Sequence, residues 1–169
     1  MTSRDLTAAR LRELVDYDPL TGIFTRKVRT AQRHQVGDRA DYRVNTGSGE
    51  GYWDMMVDSQ KRRAHVWAWL YMTGEWPKAL IDHYDTDRGN NRFSNLREGT
   101  KTTNAENMRR ARTDNRSGFL GVTSHKPGRF VAKIQAKGKV HYLGIFDTPE
   151  LAHACYLKAK RLMHEGCTL

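Results

Sequence analysis

The sequence lacks most features of secreted, disulfide-bonded and membrane proteins. Only two of its 169 residues are cysteine, Cys155 and Cys167, and they form no Cys-x-x-Cys pair, so neither a disulfide framework nor a structural zinc site is expected. No apolar run approaches the roughly 20 residues that span a bilayer, and the first residues lack the apolar stretch of a signal peptide. We therefore expect a soluble cytoplasmic protein with no membrane partner.

Basic residues are in clear excess. Twenty-nine Lys and Arg stand against nineteen Asp and Glu, which gives a formal net charge of +10. Such a charge attracts polyanions, because neutralising phosphates releases condensed counterions. Hydrophobic residues make up 38% of the chain, and its length suits one ordinary domain or two small ones. The composition favours a folded nucleic-acid-binding protein, with a merely soluble basic protein as the simpler alternative.

The spacing of apolar and turn residues predicts mixed α and β structure. Thr7 is the expected cap of a first helix with Leu11, Leu14 and Val15 on one face, and Gly74 is the expected end of a second. Residues 26–50 are interpreted as a loop with at most one short strand, and residues 113–118 as a linker. The predicted helices are 6–15, 66–73, about 102–112 and 149–165; the predicted strands are 23–25, 51–57, 62–65, 80–84, 119–123, 129–135 and 140–146.

Residues 82–107 concentrate side chains that bind metal ions and move protons. Asp82 and His83 stand together at the end of a predicted strand, and Asn104 lies in the helix that follows. Oxygens of Asp82 and Asn104, with water, suit a hard cation such as Mg²⁺ or Mn²⁺, and a neutral His83 can take a proton from water. Hydrolysis of a phosphodiester needs both the cation and the proton acceptor. Taken singly, each residue is better explained as turn or surface chemistry, and Asn90 and Asn91 as residues that shape a loop.

The same segment carries a family resemblance. The chain resembles the HNH homing-type endonucleases of phages over nearly all of residues 6–112. The matching motifs are Tyr17–Phe24, Ala64-His65, Gly74–Pro77, Ile81–Asp85, Asn90–Arg97 and Asn104–Asn107. The resemblance implies a nuclease domain at 1–112, with a ββα-metal core at about 79–112. His65 is interpreted as structural.

The resemblance also implies a role for each motif residue. Asp82 and Asn104 would bind one metal ion, His83 would be the general base, and Asn95 would brace the loop and help orient the base. Asparagine at the later motif positions suits Mg²⁺ or Mn²⁺ better than zinc. Arg97 and Arg109 are expected to touch phosphate.

A second pattern fills residues 117–165. Phe130, Ala132 and Ile134 alternate with Arg129, Val131, Lys133 and Gln135, so the two sets lie on opposite faces of a strand. The first face should pack on a helix, against Ala152, Cys155, Tyr156, Ala159 and Leu162. The second face should meet DNA. Segments 117–122, 128–134 and 142–152 resemble the apetala-two/ethylene-response type of DNA-binding domain. That implies a three-stranded antiparallel sheet plus one helix at 119–169. The expected contacts are Arg129, Lys133 and Gln135 from the alternation, and Thr123, His125 and Tyr142 from the resemblance.

These observations predict an α+β protein, a ββα-metal HNH domain followed by the small sheet domain. The predicted function is a site-selective endonuclease that hydrolyses double-stranded DNA with one divalent cation in a bacterial or phage-infected cell. The C-terminal module would anchor it. The competing hypothesis is a non-catalytic DNA-binding regulator with a retained HNH fold. Cleavage of one strand or both, and a monomer or a homodimer, are equally compatible with the sequence.

Overall fold

The structure is a computed structural model that describes residues 6–44, 51–108, 110–165 and 167. It is mixed α+β, and the chain forms two compact units, Met1–Thr100 and Lys101–Leu169. The helices are α1 (Ala8–Leu14), α2 (Ala64–Thr73), α3 (Lys101–Glu106) and α4 (Pro149–Met163), with a 3-10 turn at Phe93–Asn95. The strands are β1 (Val15–Asp18), β2 (Ile23–Arg26), β3 (Tyr42–Arg43), β4 (Trp53–Val57), β5 (Gln60–Arg63), β6 (Leu80–His83), β7 (Leu96–Gly99), β8 (Val122–Lys126), β9 (Arg129–Ala136) and β10 (Lys139–Phe146).

All strand pairs are antiparallel, in the sheets β1-β2, β3-β4-β5, β6-β7 and β10-β9-β8. The single short strand expected within residues 26–50 is β3, and residues 45–50 lie outside the described part of the chain. Within the described ranges, no helix has both the length and the apolar character needed to cross a membrane.

The first unit begins with a short helix that leads directly into a hairpin. The Thr7 hydroxyl accepts a hydrogen bond from the Arg10 amide at 3.2 Å, which confirms the predicted cap. The helix ends at Leu14, however, because Val15 has extended backbone and starts β1. The prediction of a helix through Val15 is therefore wrong. Val15 and Tyr17 alternate inward along β1, a two-residue period that the short segment concealed.

The hairpin of β4 and β5 has a shorter turn than the four residues, 58–61, that separate the predicted strands. Its turn is Asp58-Ser59, both with positive φ (44° and 64°), the geometry that matches the twist of two-residue hairpins. Residues 60 and 61, expected in the turn, belong to β5 instead. Helix α2 follows at once and ends at Thr73. Gly74, the predicted stop, caps it with φ 84°. The buried Trp67 indole donates to the Met55 carbonyl at 3.0 Å and so joins α2 to the sheet.

The β1-β2 hairpin holds the segment that precedes β7. The Tyr17 hydroxyl donates to the Asn91 carbonyl at 2.7 Å, and the Phe93 amide donates to the Pro19 carbonyl at 3.1 Å. Gly22 contacts the Asn91 backbone so closely that a side chain there would overlap it. The loop between β6 and β7 is thus fixed by contacts far away in sequence.

The second unit begins earlier than expected from the sequence. Helix α3 ends at Glu106 and buries none of its residues, so the prediction of a helix to residue 112 is wrong, since no apolar face extends it. Lys160 donates to the Met108 carbonyl, and the Asn115 and Ser117 side chains donate to backbone carbonyls at the start of the sheet. The compact units divide after Thr100 rather than at residues 113–118, and the predicted domain limits stay a prediction.

Helix α4 covers one face of the three-stranded sheet, as expected. Val122, Ala132 and Ala152 form the centre of this core, packed with Phe119, Phe130, Leu143 and Phe146. Two expectations are wrong. Leu162 is 86% exposed rather than packed, and the last turn of α4 buries Lys160 instead. Val131 is buried although it lies on the outward face, because β9 is the central strand and Thr123 and Ile145 flank it.

The close contact at Gly22 leads to a stability prediction. Gly22 and Gly74 both have positive φ, but a Cβ on Gly22 would lie 2.4 Å from the Asn91 carbonyl carbon, and one on Gly74 would meet nothing within 4 Å. We expect Gly22→Ala to lower the free energy of unfolding by about 1–3 kcal/mol more than Gly74→Ala does. Urea denaturation followed by tryptophan fluorescence measures this, because all four tryptophans lie in the first unit. Equal losses would contradict the tight packing of this turn on Asn91.

Candidate active site

Strand pairing between β6 and β7 places the two central residues of the site. Asp82 lies opposite Arg97 and His83 lies opposite Leu96. Successive residues of a strand point to opposite faces, so Asp82 and His83 lie on different faces of β6, and His83 is the more buried of the two. His83 is the last residue of β6, at the strand end where the sequence placed it.

Asp82 forms an ion pair in this structure. Its carboxylate lies 3.1 Å from the Arg97 guanidinium, and only 11% of the Asp82 side chain is exposed. Arg97 also lies 5.2 Å from the centre of the Tyr84 ring. Arg97, expected to touch phosphate, is thus directed to Asp82, and a cation bound to Asp82 would share the carboxylate with it.

The orientation of the His83 ring depends on Asn91. The Nε2 atom of His83 lies 3.1 Å from Oδ1 of Asn91, and both residues are buried. An amide oxygen only accepts hydrogen bonds, so in this arrangement Nε2 carries the hydrogen and the lone pair of the neutral ring is on Nδ1. The sequence alone indicates only a loop residue at Asn91. The one sequence signal for a role in the site is that Asn91 follows His83 by eight residues.

Asn95 ties the loop after His83 together. Its amide nitrogen donates to the Asp85 carboxylate at 2.9 Å and to the Asn90 carbonyl at 2.8 Å, and its oxygen accepts from the Asp85 amide at 3.0 Å. Burial of the Asp85 carboxyl acts to raise its pKa, but hydrogen bonds from Asn90, the Asp87 amide and Asn95 outweigh burial and lower the pKa. Asn95 therefore has the bonds of a brace, and its effect on His83 stays a prediction.

Two further rings, which sequence reasoning did not assign to the site, surround His83. The His65 ring lies 4.9 Å from it in an edge-on arrangement at 85°, and the Tyr52 ring lies 6.3 Å from it. His65 is buried. Burial, with smaller contributions from His83 and Arg63, lowers the pKa of His65 to about 3. His65 is thus neutral at ordinary pH.

The predicted metal ligands are oxygen donors. Asp82 offers a carboxylate, and Asn104, an exposed residue of α3, offers an amide oxygen. Among the described residues, no three His, Cys, Asp or Glu side chains lie close enough together to hold a metal ion. A set of one carboxylate, one amide and water is chemically suited to Mg²⁺ or Mn²⁺, and the metal roles of both residues stay a prediction.

Four of the eight predicted DNA contacts lie on the outer face of the β8-β9-β10 sheet. Lys133 pairs with Tyr142, Gln135 with Val140, and Thr123 with Val131, and paired residues of antiparallel strands share a face. Thr123, Lys133, Gln135 and Tyr142 are exposed. Val140, 65% exposed, adds an apolar side chain that sequence reasoning did not include.

Three of the other predicted contacts differ in their placement. His125 lies at the irregularity of β8 between Ser124 and Lys126, and its side chain is exposed. Arg129 is exposed but forms an ion pair with Asp147. Arg109 lies outside the described residues.

The pKa of His65 predicts acid sensitivity of the first unit. Since this pKa is about 3 in the folded protein and about 6.5 in an unfolded chain, below pH 6.5 the unfolded chain takes up a proton that the folded protein does not. The free energy of unfolding therefore falls as the pH falls, by about 2 kcal/mol from this residue between pH 7 and pH 5.

Urea denaturation at pH 7 and pH 5, followed by tryptophan fluorescence, tests this contribution. His65→Gln should lose about 2 kcal/mol less than the wild type over that interval. His125→Gln, in the second unit, should leave the pH dependence of the first unit as in the wild type. A His65→Gln protein with the same loss as wild type would contradict the prediction.

The comparisons with known proteins bear on this segment. No curated protein and no solved structure shows significant similarity to the chain. Residues 62–106 match the family model described as HNH endonuclease. The match begins in β5 and ends with α3, so it includes Asp82, His83, Asn95 and Asn104. It supports an HNH nuclease at these residues, for which the implied partner is nucleic acid.

Proposed function

We propose that the protein is a metal-dependent endonuclease that hydrolyses DNA at selected sites, with His83 as its general base. The observation that carries the proposal is the coincidence of the HNH match with the buried His83. The His83 ring is oriented by Asn91, and His83 follows Asp82 along β6. DNA is the substrate class because the chain is strongly basic and carries a second exposed polar and basic sheet face.

His83 acts on the attacking water. With Nε2–H donated to Asn91, the lone pair on Nδ1 accepts the proton of a water whose oxygen forms the new bond to phosphorus. The phosphorus–oxygen bond to the leaving strand breaks, and the leaving oxygen acquires a proton from solvent. Asn95 keeps the loop that supplies Asn91 in place.

Asp82 and Asn104 would hold the divalent cation, Mg²⁺ or Mn²⁺. That cation, when bound, supplies positive charge for the phosphate and leaving oxygens. Asp82 lies in β6, and its ion pair with Arg97 fixes the orientation of the carboxylate, which supports this role.

The outer face of the C-terminal sheet anchors the enzyme on duplex DNA. Lys133 and Gln135 can bond to phosphates and base edges, while Tyr142 and Val140 offer apolar contact. The likeness of this segment to the apetala-two/ethylene-response type of domain supports the same use. A tethered second site raises the local concentration of the nuclease unit on its target.

One observation favours the alternative of a non-catalytic DNA-binding protein. The Arg97–Asp82 ion pair neutralises the carboxylate that a metal ion would need. In that case the protein would bind DNA without cutting it, and His83 would be a structural residue.

The two functions differ in the effect of one substitution. His83→Ala should abolish the metal-dependent conversion of supercoiled plasmid to nicked or linear DNA, because it removes the proposed general base. DNA binding, measured by gel shift, should persist. His34→Ala, a histidine outside the site, should cleave like wild type. Wild-type protein that binds but never cuts a target library with Mg²⁺ or Mn²⁺ would establish the alternative.

The anchoring role predicts a loss of affinity without a loss of chemistry. Lys133→Ala/Gln135→Ala should weaken binding, relax target preference and reduce the slope of log K against log salt by about 1, the share of one phosphate contact. The rate of cleavage at saturating DNA should stay near wild type. Lys158→Ala, exposed on α4, is the matched control and should leave all three quantities unchanged. Unchanged affinity in the double variant would remove this face from the DNA interface.

A further inference from the structure

Tyr52 lies between two arginines beside the candidate active site. The guanidinium carbons of Arg63 and Arg88 are 4.6 Å and 5.0 Å from the centre of the Tyr52 ring. The same ring is 6.3 Å from the ring of His83 and 5.7 Å from that of His65. We name Tyr52, Arg63 and Arg88 the arginine–tyrosine cluster. Both cations thus lie against a ring that is itself next to the His83 ring.

The two arginines of this cluster differ in their ion pairs. Asp54 pairs with Arg63 at 2.8 Å and also with Lys61 at 3.3 Å, and its own side chain is almost fully covered. Arg88 is exposed and forms no ion pair with any described residue. Lys61 and Arg63 therefore share one carboxylate, whereas the positive charge of Arg88 is not offset by an ion pair.

The backbone under Arg88 is firmly held. The Thr86 amide donates to the His83 carbonyl at 3.0 Å, and the Asn90 amide donates to the Asp87 carbonyl at 3.1 Å. The Asp87 carboxylate also accepts from the Gly89 amide at 2.8 Å. A side chain on such a loop loses little freedom when it binds a ligand, since the loop is already ordered.

The chemistry of this arrangement is that of a phosphate site. A guanidinium that stacks on an aromatic face keeps its in-plane N–H groups available, and these form paired hydrogen bonds with phosphate oxygens. Two guanidiniums beside one ring bring two sets of such donors to the same part of the surface. Tyr52 contributes the fixed surface that orients both.

We propose that the arginine–tyrosine cluster binds a phosphate of the DNA strand next to the one that is cut, and thereby places the scissile phosphodiester at His83. Arg63 and Arg88 are positioning residues in this scheme, which rests on the proposed endonuclease function. Arg88 is the more informative of the two, because Arg63 also pairs with Asp54 inside the fold.

The chain provides a closely matched control. Arg62 stands beside Arg63 on β5, points to the opposite face, and likewise lies over an aromatic ring, Trp76, at 4.5 Å. Loss of one positive charge and loss of a cation–π contact are therefore equal in Arg62→Gln and Arg88→Gln. The two variants differ in the ring concerned, because Arg62 lies over Trp76 and Arg88 lies over Tyr52 beside His83.

The first arm measures cleavage with the full-length protein. Arg88→Gln should lower kcat/KM by about tenfold or more through misplaced substrate, and it should reduce the salt slope of binding, measured in a His83→Ala background, by about 1. Arg62→Gln should change each quantity by less than twofold. Equal effects of Arg88→Gln and Arg62→Gln, with wild-type cleavage still dependent on His83, would overturn the phosphate site and leave the nuclease standing.

The second arm needs no cleavage. Histidine ring signals are followed by NMR while the dinucleotide TpT, which has one phosphodiester, is added to the full-length protein. The signals of His83 and His65 should move in wild type and Arg62→Gln, and stay in place in Arg88→Gln. That result would support the site even if the protein never cut DNA. Shifts that persist in Arg88→Gln, or that are absent in wild type, would overturn it.

Discussion

The hydrogen bond between Asn91 and His83 is the contact on which the candidate site depends. Both side chains are buried, and a buried polar group without a partner costs about 1–3 kcal/mol, so each fixes the other. Asn91 cannot move without breaking its backbone bond to the Tyr17 hydroxyl, and Gly22 packs directly against it. The N-terminal hairpin therefore serves the site although it contributes no reactive group, because it holds the residue that sets the orientation of the histidine.

The rings packed around His83 are uncharged, and the charged side chains of the site lie outside them. His65 and Tyr52 surround His83 with rings, and burial keeps His65 uncharged. The charged groups lie outside this cage, where Asp82 meets Arg97 and Asp54 meets Arg63. Asn95 connects the two regions, since it is buried but bonds to the ionised Asp85.

Local signals in the sequence were sufficient for many of the elements. The Thr7 cap, the Gly74 stop and the three C-terminal strands follow from residues close together along the chain, and each is present. Val15 and the helix from 102 were predicted wrongly for the same reason: a short segment does not reveal which face a core will cover. The strand began at Val15 because β2 pairs with it, and the helix stopped at Glu106, where it has no buried apolar face to extend it.

The side chains of the site were predictable from a motif, but their partners were not. Asp82 and His83 stand out in the sequence, whereas the ion pair of Asp82 with Arg97 depends on the register of β6 and β7. The rings of Tyr52 and His65 reach His83 only through packing between elements. Lys160, buried where Leu162 was expected, shows the same limit at the end of α4, because the choice depends on the Met108 carbonyl.

Arg88 is hard to explain by stability alone. Arg63 has a structural partner, because it pairs with the almost fully covered carboxylate of Asp54. Arg88 makes no ion pair among the described residues and still lies on an ordered loop against Tyr52. A fixed positive charge at such a position attracts phosphate. The placement of Arg88 therefore agrees better with the proposed phosphate contact than with a role in folding.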